Sequence, residues 1–163
     1  MRTLAAAAVL AVGMTSADAA RAAGEFSHEG WIGQAVFDGG KLRQCHMWMS
    51  AINNYDLGLA LEPSGELRLG IRSQKIDIGW TMIFNEKTAL RMQIDDSPVL
   101  IKAFTTVTPH LLSTSLKGTD WEKRLPGGKL LRINAGRVKL FHLTGIKEAL
   151  GLLRACVAKH RNA

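Results

Sequence analysis

The sequence predicts a mainly β protein: an antiparallel β-sandwich or partly open barrel with one C-terminal amphipathic helix. Three observations carry that expectation. From Trp31 onward apolar residues recur with period two, turn-forming residues interrupt the pattern at short intervals, and only the last stretch of the chain switches to helical spacing. Short strands at such spacing suit a sandwich or barrel.

The chain opens on a different kind of signal. Arg2 supplies a positive charge, Leu4 to Met14 form an apolar run, and Ala17-Asp18-Ala19 has the small-x-small pattern of a cleavage site. This is the layout of a secretory signal peptide, and the apolar run is shorter than the roughly 18 to 20 residues that a membrane span needs. Residues 1–19 are therefore expected to be a signal peptide, 20–29 a flexible lead-in, and 30–163 a single β-rich domain. Removing Arg2 and Asp18 leaves the formal net charge of +7 unchanged, a sign that favours acidic partners.

Within the domain, "YDLGLALE" alternates Tyr55, Leu57, Leu59 and Leu61 on one side, and "ELRLGIR" does the same with Leu67, Leu69 and Ile71. "ALRMQID" repeats the pattern with Leu90, Met92 and Ile94. Turns are expected at Asp38-Gly39-Gly40, Pro63-Ser64-Gly65, Asn85-Glu86-Lys87, Asp95-Asp96-Ser97-Pro98, Pro126-Gly127-Gly128 and Asn134-Ala135-Gly136. In "TGIKEALGLLRACVAKH" the spacing of Ile146, Ala149, Leu150, Leu153, Cys156 and Val157 predicts an amphipathic helix, with Thr144 placed to cap its start. Lys159, His160 and Arg161 near its end suit the negative pole of the helix dipole.

Cys45 and Cys156 are the two cysteines, and an even number in an exported chain reads as a disulfide. Closing a loop of about 110 residues would constrain the unfolded chain by on the order of 4 to 5 kcal/mol. The bond would dock the final helix against an early strand.

That early strand contains "QCHMWM", Gln44 to Met49, whose thiol, imidazole and thioethers resemble a soft-metal donor set. Strand alternation divides it. Cys45, Met47 and Met49 fall on one face and His46 and Trp48 on the other, so the first three are expected in the core and the outward pair becomes a candidate anchor for a partner. His28, His110, His142 and His160 have no ligand spacing, and no metal or other cofactor is expected. Trp80, alternating with Met82 and Phe84, is expected in the core.

Catalytic motifs are equally scarce. Asp95-Asp96 places two carboxylates on opposite strand faces, where they do not converge on one substrate. There is no G-x-S-x-G elbow, and "PGGKLL" lacks the full phosphate-binding loop pattern. Basic residues instead gather late in the chain. Pairing of "KLLRIN" with "RVKLFHL" would bring Lys129, Arg132, Arg137 and Lys139 into one patch facing an acidic protein or anionic envelope component. Nucleic acid is not expected, because export removes the opportunity and six per cent aromatic content supplies no stacking platform.

The closing segment "VKLFHLTGIKEALGLL" resembles the end of the invasion-associated locus B family of small exported alphaproteobacterial proteins, the shared positions being Gly145, Ile146, Ala149 and Leu150. The likeness covers about a tenth of the chain, and the family's internal arginine-cysteine motif with a second cysteine close by is missing. It implies an envelope β-sandwich without established catalytic residues. The expected function is an exported, non-catalytic cell-envelope binding or interaction module that engages an acidic partner through the basic hairpin. Periplasmic soft-metal (copper) binding at Met47 and Met49 is one alternative, and a hydrolase with dispersed site residues is another.

Overall fold

Alternating apolar and polar side chains build a half-buried sheet, and turn residues decide which strands become neighbours. A computed structural model of the chain describes residues 26–50, 54–74, 86–135 and 137–161. The strands are β1 (Phe26–His28), β2 (Trp31–Asp38), β3 (Lys41–Ser50), β4 (Tyr55–Leu61), β5 (Leu67–Ser73), β6 (Lys87–Ile94), β7 (Leu100–Thr108), β8 (Leu111–Ser115), β9 (Leu130–Ala135) and β10 (Arg137–His142). A one-turn helix α1 (Trp121–Arg124) runs into a 3-10 turn (Leu125–Gly127), and α2 (Ile146–His160) closes the chain.

Among the described residues, all ten strands belong to one continuous antiparallel sheet in the order β1-β2-β3-β4-β5-β8-β7-β6-β9-β10. The mainly β class, the antiparallel pairing and the C-terminal helix agree with expectation. Because hydrogen bonds run unbroken from β1 to β10, the architecture is an open sheet, nearer to the partly open barrel than to two stacked sheets. Its inner face curls: Lys139 on β10 reaches across to place Nζ 4.0 Å from the ring centroid of Tyr55 on β4.

The inner face carries the core. Met47, Leu57, Leu69, Ile71, Met92, Phe104, Leu112, Ile133 and Phe141 are fully buried, and α2 covers this face by packing on β1 to β4. Every helix position singled out by spacing, from Ile146 to Val157, is buried. Each leucine removed from water there contributes roughly 1.5–3 kcal/mol. The disulfide joins Cys45 on β3 to Cys156 on α2 with their Cα atoms 6.2 Å apart, so the helix is tied covalently to the strand on which it packs.

Three local expectations need correction. Phe26–His28, placed in the lead-in, pairs with β2 as β1, because Phe26 lays its ring over side-chain-free Gly33. Gly145, with φ +69°, occupies the N-cap of α2 in place of Thr144, whose carbonyl instead accepts a hydrogen bond from the Trp31 indole N–H at 2.9 Å. Pro126 and Gly127 lie within the 3-10 turn and Gly128 follows it toward β9, so this stretch joins no hairpin; Pro126 suits the first turn of a helix. The turn expected at Asn134-Ala135-Gly136 agrees with the register, Ala135 at the end of β9 pairing with Arg137 at the start of β10; Gly136 itself lies outside the described residues. The expected signal peptide and the Trp80, Met82 and Phe84 strand also lie outside them.

Candidate functional site

The outer face of the sheet departs from an ordinary polar surface at its centre. Register places Trp48 on β3 beside Gly58 on β4, Gly58 beside Gly70 on β5, and Gly70 beside Ser113 on β8. Glycine in a strand interior costs backbone entropy and offers no side chain to pack, so its presence usually marks a close approach. Here the approaching group is the indole. A Cβ on Gly58 would overlap the six-membered ring of Trp48, and one on Gly70 would meet its Cη2 at 3.2 Å. Two bare positions thus let Trp48 lie down along the sheet, half-buried, instead of standing away from it.

Neighbouring rows frame the indole. On one side His46, Ala60 and Arg68 lie across β3, β4 and β5; on the other, Asp56, Arg72 and Leu111 lie across β4, β5 and β8. Asp56 is almost completely buried. Its Oδ2 accepts hydrogen bonds from Arg72 Nε and Nη2 at 2.7 and 2.5 Å, and its Oδ1 accepts one from Gln74 Nε2 at 2.6 Å. A carboxylate holding both nitrogens of one guanidinium edge leaves that group little freedom. Arg72 Cζ is held 5.0 Å from the Trp48 ring centroid, within cation–π range. His46 completes the cluster with its ring centroid 6.1 Å from that of Trp48. Asp56 therefore orients Arg72, and Arg72 orients the indole.

The indole with its glycines, the His46 row and Leu111 line a groove of about 470 Å³ that includes Arg43, Gln44, His46, Trp48, Glu62, Arg68, Leu111 and Ser113. That volume falls within the roughly 300–1,000 Å³ of small-ligand sites. Leu111 and Val107 form an apolar wall, while Arg43, Gln44 and Glu62 form a polar end. Arg68 shares its charge with Glu66 at 3.0 Å, whereas Arg43 is exposed.

Burial pushes the His46 imidazole below its usual pKa, and the Arg72 charge adds to the shift. His46 is accordingly neutral near pH 7, with one nitrogen donating and the other accepting. A histidine whose pKa is depressed by folding contributes stability that is complete above the unfolded value of 6.5 and is lost as pH falls through the lower folded pKa. Denaturant midpoints measured at about pH 7.5 and about pH 5 should fall more for the wild type than for His46→Gln. Equal falls would remove His46 as the source.

The expected anchors His46 and Trp48 do share the outer face and the same groove. The basic hairpin fares differently: β9 and β10 pair as anticipated, but alternation divides its charges between faces. Arg132 points outward and donates from Nη1 to the Asp95 carbonyl at 2.8 Å, while Arg137 and Lys139 share the parity of buried Phe141. Lys129 precedes β9, and its backbone N–H donates to the Asp95 carboxylate. The four residues expected in one patch are therefore not gathered into one. Met47 is buried in the core, Met49 is partly buried against it, and Cys45 is committed to the disulfide, so the inward face of "QCHMWM" is a packing and cross-linking surface.

Gly58, Gly70, Arg43 and Arg68 escaped notice as site residues. The two glycines were visible as side-chain-free positions inside otherwise regular strands, but their common neighbour became clear only from register. These features define the class: an open antiparallel sheet protein, covered by a helix on one face and carrying a ligand-sized groove on the other. No known protein family, curated protein or solved structure matches the chain. Among the described residues, no helix is long and apolar enough to cross a membrane.

Proposed function

We propose that the protein is an exported, non-catalytic binding module of the cell envelope that receives an acidic ligand group in the groove over Trp48. The observation that carries this reading is the indole laid over Gly58 and Gly70, with the Asp56-held Arg72 guanidinium 5.0 Å over its ring. Holding an aromatic ring in place before a ligand arrives lowers the ordering cost of binding. Exposed Arg43 gives the polar end of the groove a cationic group beside Glu62, and the net charge of +7 draws anions toward it. The signal-like N-terminus and the Cys45–Cys156 disulfide support an oxidising compartment.

A panel of small anionic probes, comprising a carboxylated sugar, an acidic peptide and an anionic detergent micelle, tests the reading by NMR. At least one probe should shift the Trp48 indole resonance, and binding should weaken as salt rises. Gly58→Val, whose side chain takes the space of the indole, should remove that response. Shifts confined to β9 and β10, or no response to any anion, would overturn the reading.

A further inference from the structure

We infer that the groove takes an acidic saccharide, with a pyranose ring seated against Trp48 and its carboxylate at Arg43. This rests on the acidic-ligand reading above and narrows it to one chemical class. The floor and the rim of the groove ask for different things. The part of the indole that lines the groove, beside the Arg72 guanidinium, is an apolar aromatic surface that suits the C–H face of a sugar ring. Around it, Glu62 only accepts hydrogen bonds, the arginines only donate, and Gln44 and neutral His46 do both. A body with one apolar face and a perimeter of hydroxyls, each both donor and acceptor, satisfies that mixture; one carboxylate satisfies the Arg43 guanidinium.

Other acidic ligands match less of it. An acyl chain would cover Gln44, His46 and Glu62 without replacing their hydrogen bonds to water, a loss that disfavours binding. An extended peptide that binds by strand addition needs a free strand edge. No edge is free beneath the groove: β3, β4, β5 and β8 are each paired on both sides. Recognition there must come from side chains alone, and the side chains present suit a polyhydroxylated acid.

Calorimetric titration with tetragalacturonate, the neutral galactose tetramer and tetraglutamate tests the inference. The uronate should bind at least about tenfold more tightly than either other probe, and Trp48→Leu should weaken it by about tenfold or more. Arg43→Glu, at an exposed position whose change leaves the core intact, should do the same while thermal unfolding stays as in the wild type. Tetraglutamate binding as tightly as the uronate, and sensitive to Arg43→Glu, would overturn the saccharide while leaving the acidic-ligand reading in place. Equal binding of the neutral tetramer, no binding of either acid, or insensitivity to Arg43→Glu would overturn both.

Discussion

Replacing Cys45 and Cys156 together by alanine should lower the stability of the oxidised protein by about 2–5 kcal/mol, the range for loss of a disulfide that closes a long loop. The 111-residue separation sets the entropic part, because the linked unfolded chain can no longer explore arrangements in which its two ends are far apart. A structural part adds to it. The N-cap of α2 makes no side-chain hydrogen bond, so the helix depends on its buried face and on the cross-link to stay seated. Urea unfolding of the wild type and of the double variant would measure the difference, and amide exchange should show α2 losing protection first. Coincident urea midpoints would refute the role given to the bond.

The second large effect is expected at Arg72. Truncation to alanine removes two hydrogen bonds to the Asp56 carboxylate, a group that is 1% exposed and that also accepts one from Gln74. Breaking a fully buried pair costs about 3–5 kcal/mol. The Arg72 side chain is 49% exposed, and water can enter when it is removed, so roughly 2–3 kcal/mol is expected after that discount. Combining Arg72→Ala with Asp56→Asn should recover part of the loss, because an amide tolerates burial better than an unpaired carboxylate. A thermal-denaturation double-mutant cycle would reveal the recovery as non-additivity. Simple addition of the two single costs would mean that Asp56 does not depend on Arg72. The Trp48 emission should also change in the Arg72 variant, since the guanidinium no longer packs on the indole.

Much of the scaffold is legible from spacing because burial is periodic. Leu57, Leu59, Leu69 and Ile71 alternate in sequence and are buried together, and the helical set from Ile146 to Val157 forms the covered face of α2. Both periodicities arise within a few residues of chain and require no knowledge of distant neighbours. The same local rule correctly divided "QCHMWM" into an inward Cys45 and Met47 and an outward His46 and Trp48. It was less informative where a decision depended on capping or on which strands meet. Gly145 rather than Thr144 starts α2, and β6 pairs with β9 across a gap that no hairpin rule addresses.

The basic hairpin shows how a local reading can fail without any error about the strands themselves. Lys129, Arg132, Arg137 and Lys139 are close in sequence and their strands pair, but side-chain alternation sends Arg132 outward while Arg137 and Lys139 follow Phe141 inward. Proximity along paired strands is not proximity on one face.

By itself the sequence determined a β-rich domain, a closing amphipathic helix and the pairing of its two cysteines, because hydrophobic period and cysteine number act through short-range patterns or simple counting. Only the tertiary structure decided that Trp48, Gly58 and Gly70 share one row, and that Asp56 and Arg72 brace the indole beside it. A groove is a property of register among several strands, and register is settled by the joint burial of the whole inner face.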